Sequence, residues 1–284
     1  MNSTVDGSNY VSSNAEIKRE NNYAITISSL GMEFCDSPTP IRVLNNINLA
    51  IDLHEFVTIV GPSGCGKTTL LKLIGGVLGK KNKNVHLEGE ISVNGTSPTI
   101  AKKNRMFGFA FQNPVLLPWR RVKDNVSLPC ELIGINGRST DERVSSLLEL
   151  MEIKAFETAY PNQLSGGMQQ RVNIARSLVH EPSILLMDEP FGALDEMTRE
   201  RLNDALLRIH RLKSPTILFV THNLAEAIYL SSRVVILSKR PATIHTILDI
   251  NLPDQRSDQI KTSSAYIRLL AQVRDLIAEA SGEN

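Results

Sequence analysis

The sequence predicts an α/β fold on three observations, each a short apolar run that stops abruptly at polar residues. Phe56-Val-Thr-Ile-Val60 runs into the glycine-rich GPSGCGKTT at 61–69, Ser183-Ile-Leu-Leu-Met187 ends in Asp188-Glu189, and Thr216-Ile-Leu-Phe-Val220 ends in Thr221-His222. Runs of this length read as buried strands, and Thr68-Thr-Leu-Leu-Lys-Leu-Ile74, directly behind the first, reads as the start of a helix. Strand, turn and helix in that order point to a parallel sheet.

The remaining elements follow from local patterns. Gly89-Glu-Ile-Ser-Val-Asn-Gly95 reads as a strand between turns, one of the early strands of the core, and an antiparallel β-subdomain is expected beside the parallel sheet. A helical insertion is expected over about 114–163. In it Ser139-Thr-Asp-Glu142 reads as a capping box, and Val144, Leu147, Leu148 and Met151 follow on one helix face. Tyr266, Leu269, Leu270, Val273, Leu276 and Ile277 form a second stripe within a C-terminal helical segment, 256–284. Residues 1–22 are rich in Asn and Ser, lack the apolar core of a signal peptide, and read as a mobile tail.

Composition narrows the functional classes. The chain has 284 residues, with 31 Lys and Arg against 30 Asp and Glu, a net charge of +1. No overall field draws it to nucleic acid or anionic lipid, so no nucleic-acid partner is expected. Cys35, Cys65 and Cys130 lack metal-site or disulfide-framework spacing, which fits a reducing compartment such as the cytoplasm. No apolar run approaches the roughly 20 residues of a membrane-crossing helix.

Gly61-x4-Gly66-Lys67-Thr68, set between a strand and a helix, matches the phosphate-loop pattern. Its glycines let successive N–H groups form an anion nest, Lys67 reaches the β/γ-phosphates, and the Thr68 hydroxyl is offered to Mg²⁺. Such a loop needs an acidic partner. Asp188, at the end of its strand, is placed to hold Mg²⁺, and Glu189 to orient or deprotonate an attacking water. Ser165 is a plausible helix N-cap followed by two glycines, so NQLSGGMQQRVNIARSLV at 162–179 offers a second anion site.

Together these residues resemble a family. Leu164-Ser-Gly-Gly-Met-Gln-Gln-Arg171 is similar to the signature motif of ATP-binding cassette (ABC) ATPases, Gln112 to their glutamine loop, Phe191-Gly-Ala-Leu-Asp195 to their D-loop, and His222 to their switch histidine. The resemblance implies a P-loop NTPase core within an ATPase domain over 23–255, with ATP and Mg²⁺ as ligands. It implies that Phe34 stacks on adenine and that Gly61, Pro62, Ser63, Gly64, Cys65, Gly66, Lys67, Thr68 and Thr69 hold the phosphates. Thr68, Gln112 and Asp188 would serve the metal, with Glu189, His222 and Gln112 catalytic. Ser165, Gly166 and Gly167 would contact the γ-phosphate held by a second copy of the chain, and Asp195 would join the same site. One departure stands out: relatives carry glycine before the glutamate that leads into the phosphate-loop strand, and here that place is taken by His54.

Pro114-Val-Leu-Leu-Pro-Trp-Arg-Arg121 sets apolar residues and the single tryptophan beside Gln112. The family receives a coupling helix of a transmembrane permease here. LLPWRRVKDNV and LSKRPATIHTILDINLP resemble the ATPases of nitrate, sulfonate and taurine importers, which implies a peripheral subunit on the cytoplasmic side of the inner membrane, served indirectly by a solute-binding protein. A soluble ABC ATPase of DNA repair, chromosome structure or translation would show a heptad insertion, zinc-type cysteine pairs, two cassettes or a basic face. A P-loop kinase would leave LSGGMQQR and His222 without roles.

Overall fold

Strands with no polar alternation must be covered on both faces. In the computed structural model, which describes residues 22–35, 39–79, 82–253 and 255–282, the three apolar runs are strands whose residues are all buried. The tail expected over 1–22 lies, apart from Asn22, outside the described residues.

In chain order the strands are β1 (Tyr23–Phe34), β2 (Ile41–Asp52), β3 (Phe56–Val60), β4 (Val85–Val93), β5 (Phe107–Ala110), β6 (Ile184–Asp188), β7 (Thr216–Val220), β8 (Arg233–Leu237) and β9 (Ile244–Asp249). The helices are α1 (Lys67–Ile74), α2 (Pro98–Lys103), α3 (Val122–Leu132), α4 (Arg138–Leu150), α5 (Gly166–Leu178), α6 (Glu196–Lys213), α7 (Leu224–Leu230), α8 (Asp258–Lys261) and α9 (Ser264–Ser281). The main sheet has the order β5-β6-β7-β3-β8-β9, parallel from β5 to β8 with β9 antiparallel at the edge. A separate antiparallel sheet has the order β2-β1-β4.

Alternate residues of the parallel strands feed two cores. In β7, Ile217 and Phe219 point to a core shared with α3–α7 and α9, while Leu218 and Val220 point to one shared with α1 and the three-stranded sheet. Helix α1 is therefore clamped between two sheets, and the loop that precedes it inherits that rigidity. Cys65, at the base of the loop, and Cys130 are buried, Cys35 is exposed, and all three are free.

Two local expectations are corrected. The strand read from Gly89 begins at Val85; Gly89 lies inside β4 at φ 74, opposite the register shift between Ser28 and Gly31. A side chain there would meet the Ser28 carbonyl at 2.4 Å, so this glycine marks a bulge rather than a strand end. The capping box read at Ser139–Glu142 does not form either. Gly137, at φ 118, starts the helix earlier, which places Ser139 inside the first turn and leaves Glu142 paired with Arg138 at 3.0 Å.

The helical stripes are as expected. Val144, Leu148 and Met151 are buried with Leu147 packed against them, and α9 buries Tyr266 and Val273 with Leu269, Leu270, Leu276 and Ile277 beside them. The segment 114–163 contains α3, α4 and short 3-10 turns at Lys154–Phe156 and Pro161–Gln163. His54 adopts the left-handed conformation at φ 63. Its N–H donates to the Thr216 hydroxyl at 2.9 Å and its ring bonds the Ser214 carbonyl, which offsets part of the strain. Among the described residues no helix is long and apolar enough to cross a membrane.

Gly108 shows how closely β5 is packed: an added Cβ would sit 2.1 Å from the Ser177 backbone oxygen on α5. Gly108→Ala is therefore expected to destabilise the fold by about 1–3 kcal/mol or more, read by chemical denaturation.

Candidate functional site

The parallel register brings three strand ends together. Ile59 of β3 lies opposite Val220 of β7, and Val220 lies opposite Asp188 of β6. The phosphate loop, Asp188-Glu189 and Thr221-His222 thus leave the same edge of the sheet, where α/β folds place their ligands.

Gly61, Gly64 and Gly66 have φ of 153°, 71° and 123°, values that suit glycine and curl the loop round to the N-terminus of α1. At Gly66 space adds to the requirement, since a Cβ would meet Val43 Cγ1 at 2.8 Å. Lys67 is 8% exposed and donates its ammonium to the carbonyls of Gly61 (2.8 Å) and Pro62 (2.9 Å). The next side chain crosses to β6: Thr68 Oγ1 donates to Asp188 Oδ1 at 3.0 Å. Burial pushes the Asp188 carboxyl above its ordinary pKa, and the Thr68 hydrogen bond opposes that shift.

Glu189 turns out of β6 in the left-handed region, at φ 46, with its N–H bonded to the Val220 carbonyl at 2.8 Å. One carboxylate oxygen, Oε2, receives Gln112 Nε2 at 3.4 Å and lies 3.2 Å from His222 Nδ1. Gly61, Ser63, Gly64, Gly66, Lys67, Thr68, Thr69, Gln112, Glu189 and His222, with Arg240, line one cavity of about 480 Å³. An anion nest, a lysine, a hydroxyl–carboxylate pair and a second carboxylate held by an amide and an imidazole can together bind a phosphate chain and polarise a water beside it.

Other residues read from the sequence lie elsewhere. Pro62 and Cys65 belong to the loop but do not line the cavity, and Cys65 is buried beneath it. Phe34 ends β1 and packs against the core shared with α1. Ser165 caps α5 by accepting the Met168 N–H at 3.3 Å, with exposed Gly166 following and Gly167 packed near Leu194. Asp195 caps α6, and the hydrogen bond from Thr198 holds its carboxyl below its ordinary pKa. None of these residues lines the cavity of its own chain. A larger cavity, about 850 Å³, opens between α4 and α6 over Leu147, Leu178 and Ile209. Its cations Arg143 and Lys213 are both paired with Glu181, so it lacks a convergent polar set.

Residues 44–192 match the family model described as ABC transporter. The chain belongs to the ABC transporter family. It is 41% identical over 249 residues to an aliphatic sulfonates import ATP-binding protein of Bacillus cereus, covering 88% of this chain and 94% of the relative. A nitrate import ATP-binding protein of Synechocystis sp. is 39% identical over 259 residues, covering 89% and 94%. Among solved structures, a dimeric ATP-binding cassette in a post-hydrolysis state bound to ADP and Pi superposes with a TM-score of 0.71. It is 31% identical, across 81% of this chain and 100% of that one.

Two features of this ABC protein escaped the sequence reading. Arg240, three positions beyond β8, reaches the phosphate loop. The other is a buried link behind His222. Glu226 is 5% exposed and receives the Thr221 hydroxyl at 2.6 Å, while its second oxygen lies 3.3 Å from Arg199 of α6. That hydroxyl also accepts the Asn223 N–H at 3.0 Å, fixing the backbone on both sides of His222. Arg240 lies in a stretch read only for its likeness to importer ATPases and Glu226 in one to which no element was assigned, and a lone charge there carries no signal of its own.

Burial raises the pKa of Glu226, against the opposing pull of Thr221, Arg199 and His222. The fold therefore favours its protonated form, and the stability this supplies is present below the ordinary carboxylate pKa and lost as pH rises through the raised one. Gln at this position does not titrate. In thermal denaturation from about pH 5 to 8, the melting temperature of Glu226→Gln minus that of the wild type should increase with pH.

Proposed function

We propose that the chain is the ATP-binding and ATP-hydrolysing subunit of an importer, driving uptake of a small oxyanionic solute of the sulfonate or nitrate class through a separate transmembrane permease. The observation that carries the catalytic part is the Glu189 carboxylate, set beside the phosphate loop between Gln112 and His222. The solute class is supported by the relatives whose names specify sulfonate and nitrate import. Those names also favour import over a non-transport role.

Loop N–H groups and Lys67 receive the phosphates, and Phe34 supplies the adenine platform at the end of β1. The Thr68 hydroxyl, the Asp188 carboxylate and the free carbonyl oxygen of Gln112 are hard oxygen donors that suit Mg²⁺, and a cation beside Asp188 would offset the burial that raises its pKa. Bound there, Mg²⁺ supplies charge neutralisation on the β- and γ-phosphate oxygens. Glu189 accepts the proton of the attacking water, Gln112 aligns that water, and His222 faces the γ-phosphate.

Ser165, Gly166, Gly167 and Asp195 serve the site of a second copy, a reading supported by their absence from the cavity of their own chain and by the dimeric relative. ATP closes the pair and hydrolysis opens it. Val115 and Trp119, 66% and 71% exposed just beyond Gln112, form the docking surface for the permease. On this reading the protein is peripheral to the cytoplasmic face of the inner membrane, with a solute-binding protein acting through the permease.

Glu189→Gln keeps the shape of the side chain and removes the proton acceptor, so turnover should fall by about 10²-fold or more while ATP binding survives. In light scattering the variant should be a dimer with ATP and a monomer with ADP, and adding Ser165→Arg should abolish the dimer. Normal hydrolysis by Glu189→Gln would overturn the assignment. A second prediction concerns docking: Trp119→Asp should leave ATPase activity and melting temperature near wild type and reduce co-purification with the permease by about tenfold or more.

A further inference from the structure

We infer that Arg240 is a second cation for the nucleotide's phosphate chain, working beside Lys67 in the same cavity. The inference rests on the nucleotide-site reading above and adds a specificity residue to it. Strand β8 pairs with β3 in parallel, Val60 opposite Ile236, so the chain leaving β8 runs beside the start of the phosphate loop. The approach is close: a Cβ on Gly61 would sit 2.7 Å from the Leu237 carbonyl. Three residues further on, Arg240 lines the same cavity as Lys67, Thr68 and Glu189 and donates Nη2 to the carbonyl of Gly64.

The turn carrying Arg240 is built to hold it there. Ser238 closes the turn by bonding Thr243 three times: backbone N–H to carbonyl at 3.0 Å, hydroxyl accepting the Thr243 N–H at 3.0 Å, and hydroxyl to hydroxyl at 3.1 Å. Ala242 is hydrogen-bonded in both directions to β2, donating to Val43 at 2.8 Å and accepting from Asn45 at 2.9 Å. Lys239 donates its N–H to Ala280, at the end of α9, at 3.1 Å. Two sheets and a helix thus converge on a turn whose exposed tip is one guanidinium.

Charge gives this placement its meaning. Within the cavity the fixed cations are Lys67 and Arg240, set against Glu189, and Lys67 already directs two hydrogen bonds to loop carbonyls. A triphosphate chain carries several negative charges, more than one such lysine offsets even beside a bound Mg²⁺. A guanidinium has five N–H donors, and one bond to Gly64 leaves others for phosphate oxygens. The Gly64 contact also holds the backbone at a left-handed glycine of the loop.

The test separates charge from loop support. Arg240→Gln keeps a donor for the Gly64 carbonyl and removes the cation; Arg240→Lys keeps the cation. With Mg²⁺-ATP titrated at low salt, Arg240→Gln should bind about tenfold or more weakly than wild type, and Arg240→Lys within about threefold. At about 0.5 M salt the gap between wild type and Arg240→Gln should narrow, because screening removes the charge contribution. Melting temperatures without nucleotide should agree across all three proteins. Wild-type affinity in Arg240→Gln, a loss that ignores salt, or an equal loss in Arg240→Lys would overturn the inference while leaving the nucleotide site standing. A wild-type protein that binds no ATP would overturn the nucleotide-site reading itself.

Discussion

The parallel pairing of β6, β7 and β3 is the constraint from which the site follows. It sets Asp188 level with Val220 and Val220 level with Ile59, so residues far apart in the chain leave the sheet at one height. The Thr68–Asp188 hydrogen bond spans 120 positions of sequence and depends on that alignment. A shift of one residue in either pairing would exchange the side chains facing the two cores and lift the carboxylate away from the hydroxyl. Register and chemistry are thus selected together.

A second dependence lies at right angles to the first. Helix α1 sits between the parallel and antiparallel sheets, and the turn after β8 is hydrogen-bonded to β2. The phosphate loop is consequently held from below by α1, from one side by β8 and from another by Val43. The groups opposite it arrive by a different route. Gln112 follows β5, and the loop bearing His222 is tied through Thr221 and Glu226 to Arg199 on α6. Asp195, the N-cap of that same helix, lies four residues before Arg199, so the α6 terminus and the histidine loop share one partly buried contact.

Much of this was legible in the sequence because apolar strands ending in functional residues carry two signals at once, burial and an abrupt stop. The loop at 61–69, Asp188, Glu189, Gln112 and His222 were all found that way or by motif; the structure brings most of the loop, Gln112, Glu189 and His222 to one cavity, with Asp188 behind it on the Thr68 hydroxyl. The signature residues were found too, but their distance from that cavity is a fact of three dimensions. Local reading failed where a neighbour in space decides the outcome. Gly89 looked like a strand boundary because its bulge partner is on β1, and Ser139 looked like a cap because the left-handed entry at Gly137 is invisible without φ. Arg240 and Glu226 are single charges in otherwise ordinary segments, and their meaning comes from β3 and α6.

Glu189 holds its carboxylate toward Gln112 and His222 from a left-handed backbone, a conformation that disfavours a side chain by about 1–2 kcal/mol. Glycine there would relieve the strain, and it would erase the carboxylate. On the proposed role of that carboxylate as proton acceptor, a sturdier fold and faster turnover therefore make opposite demands on this one position.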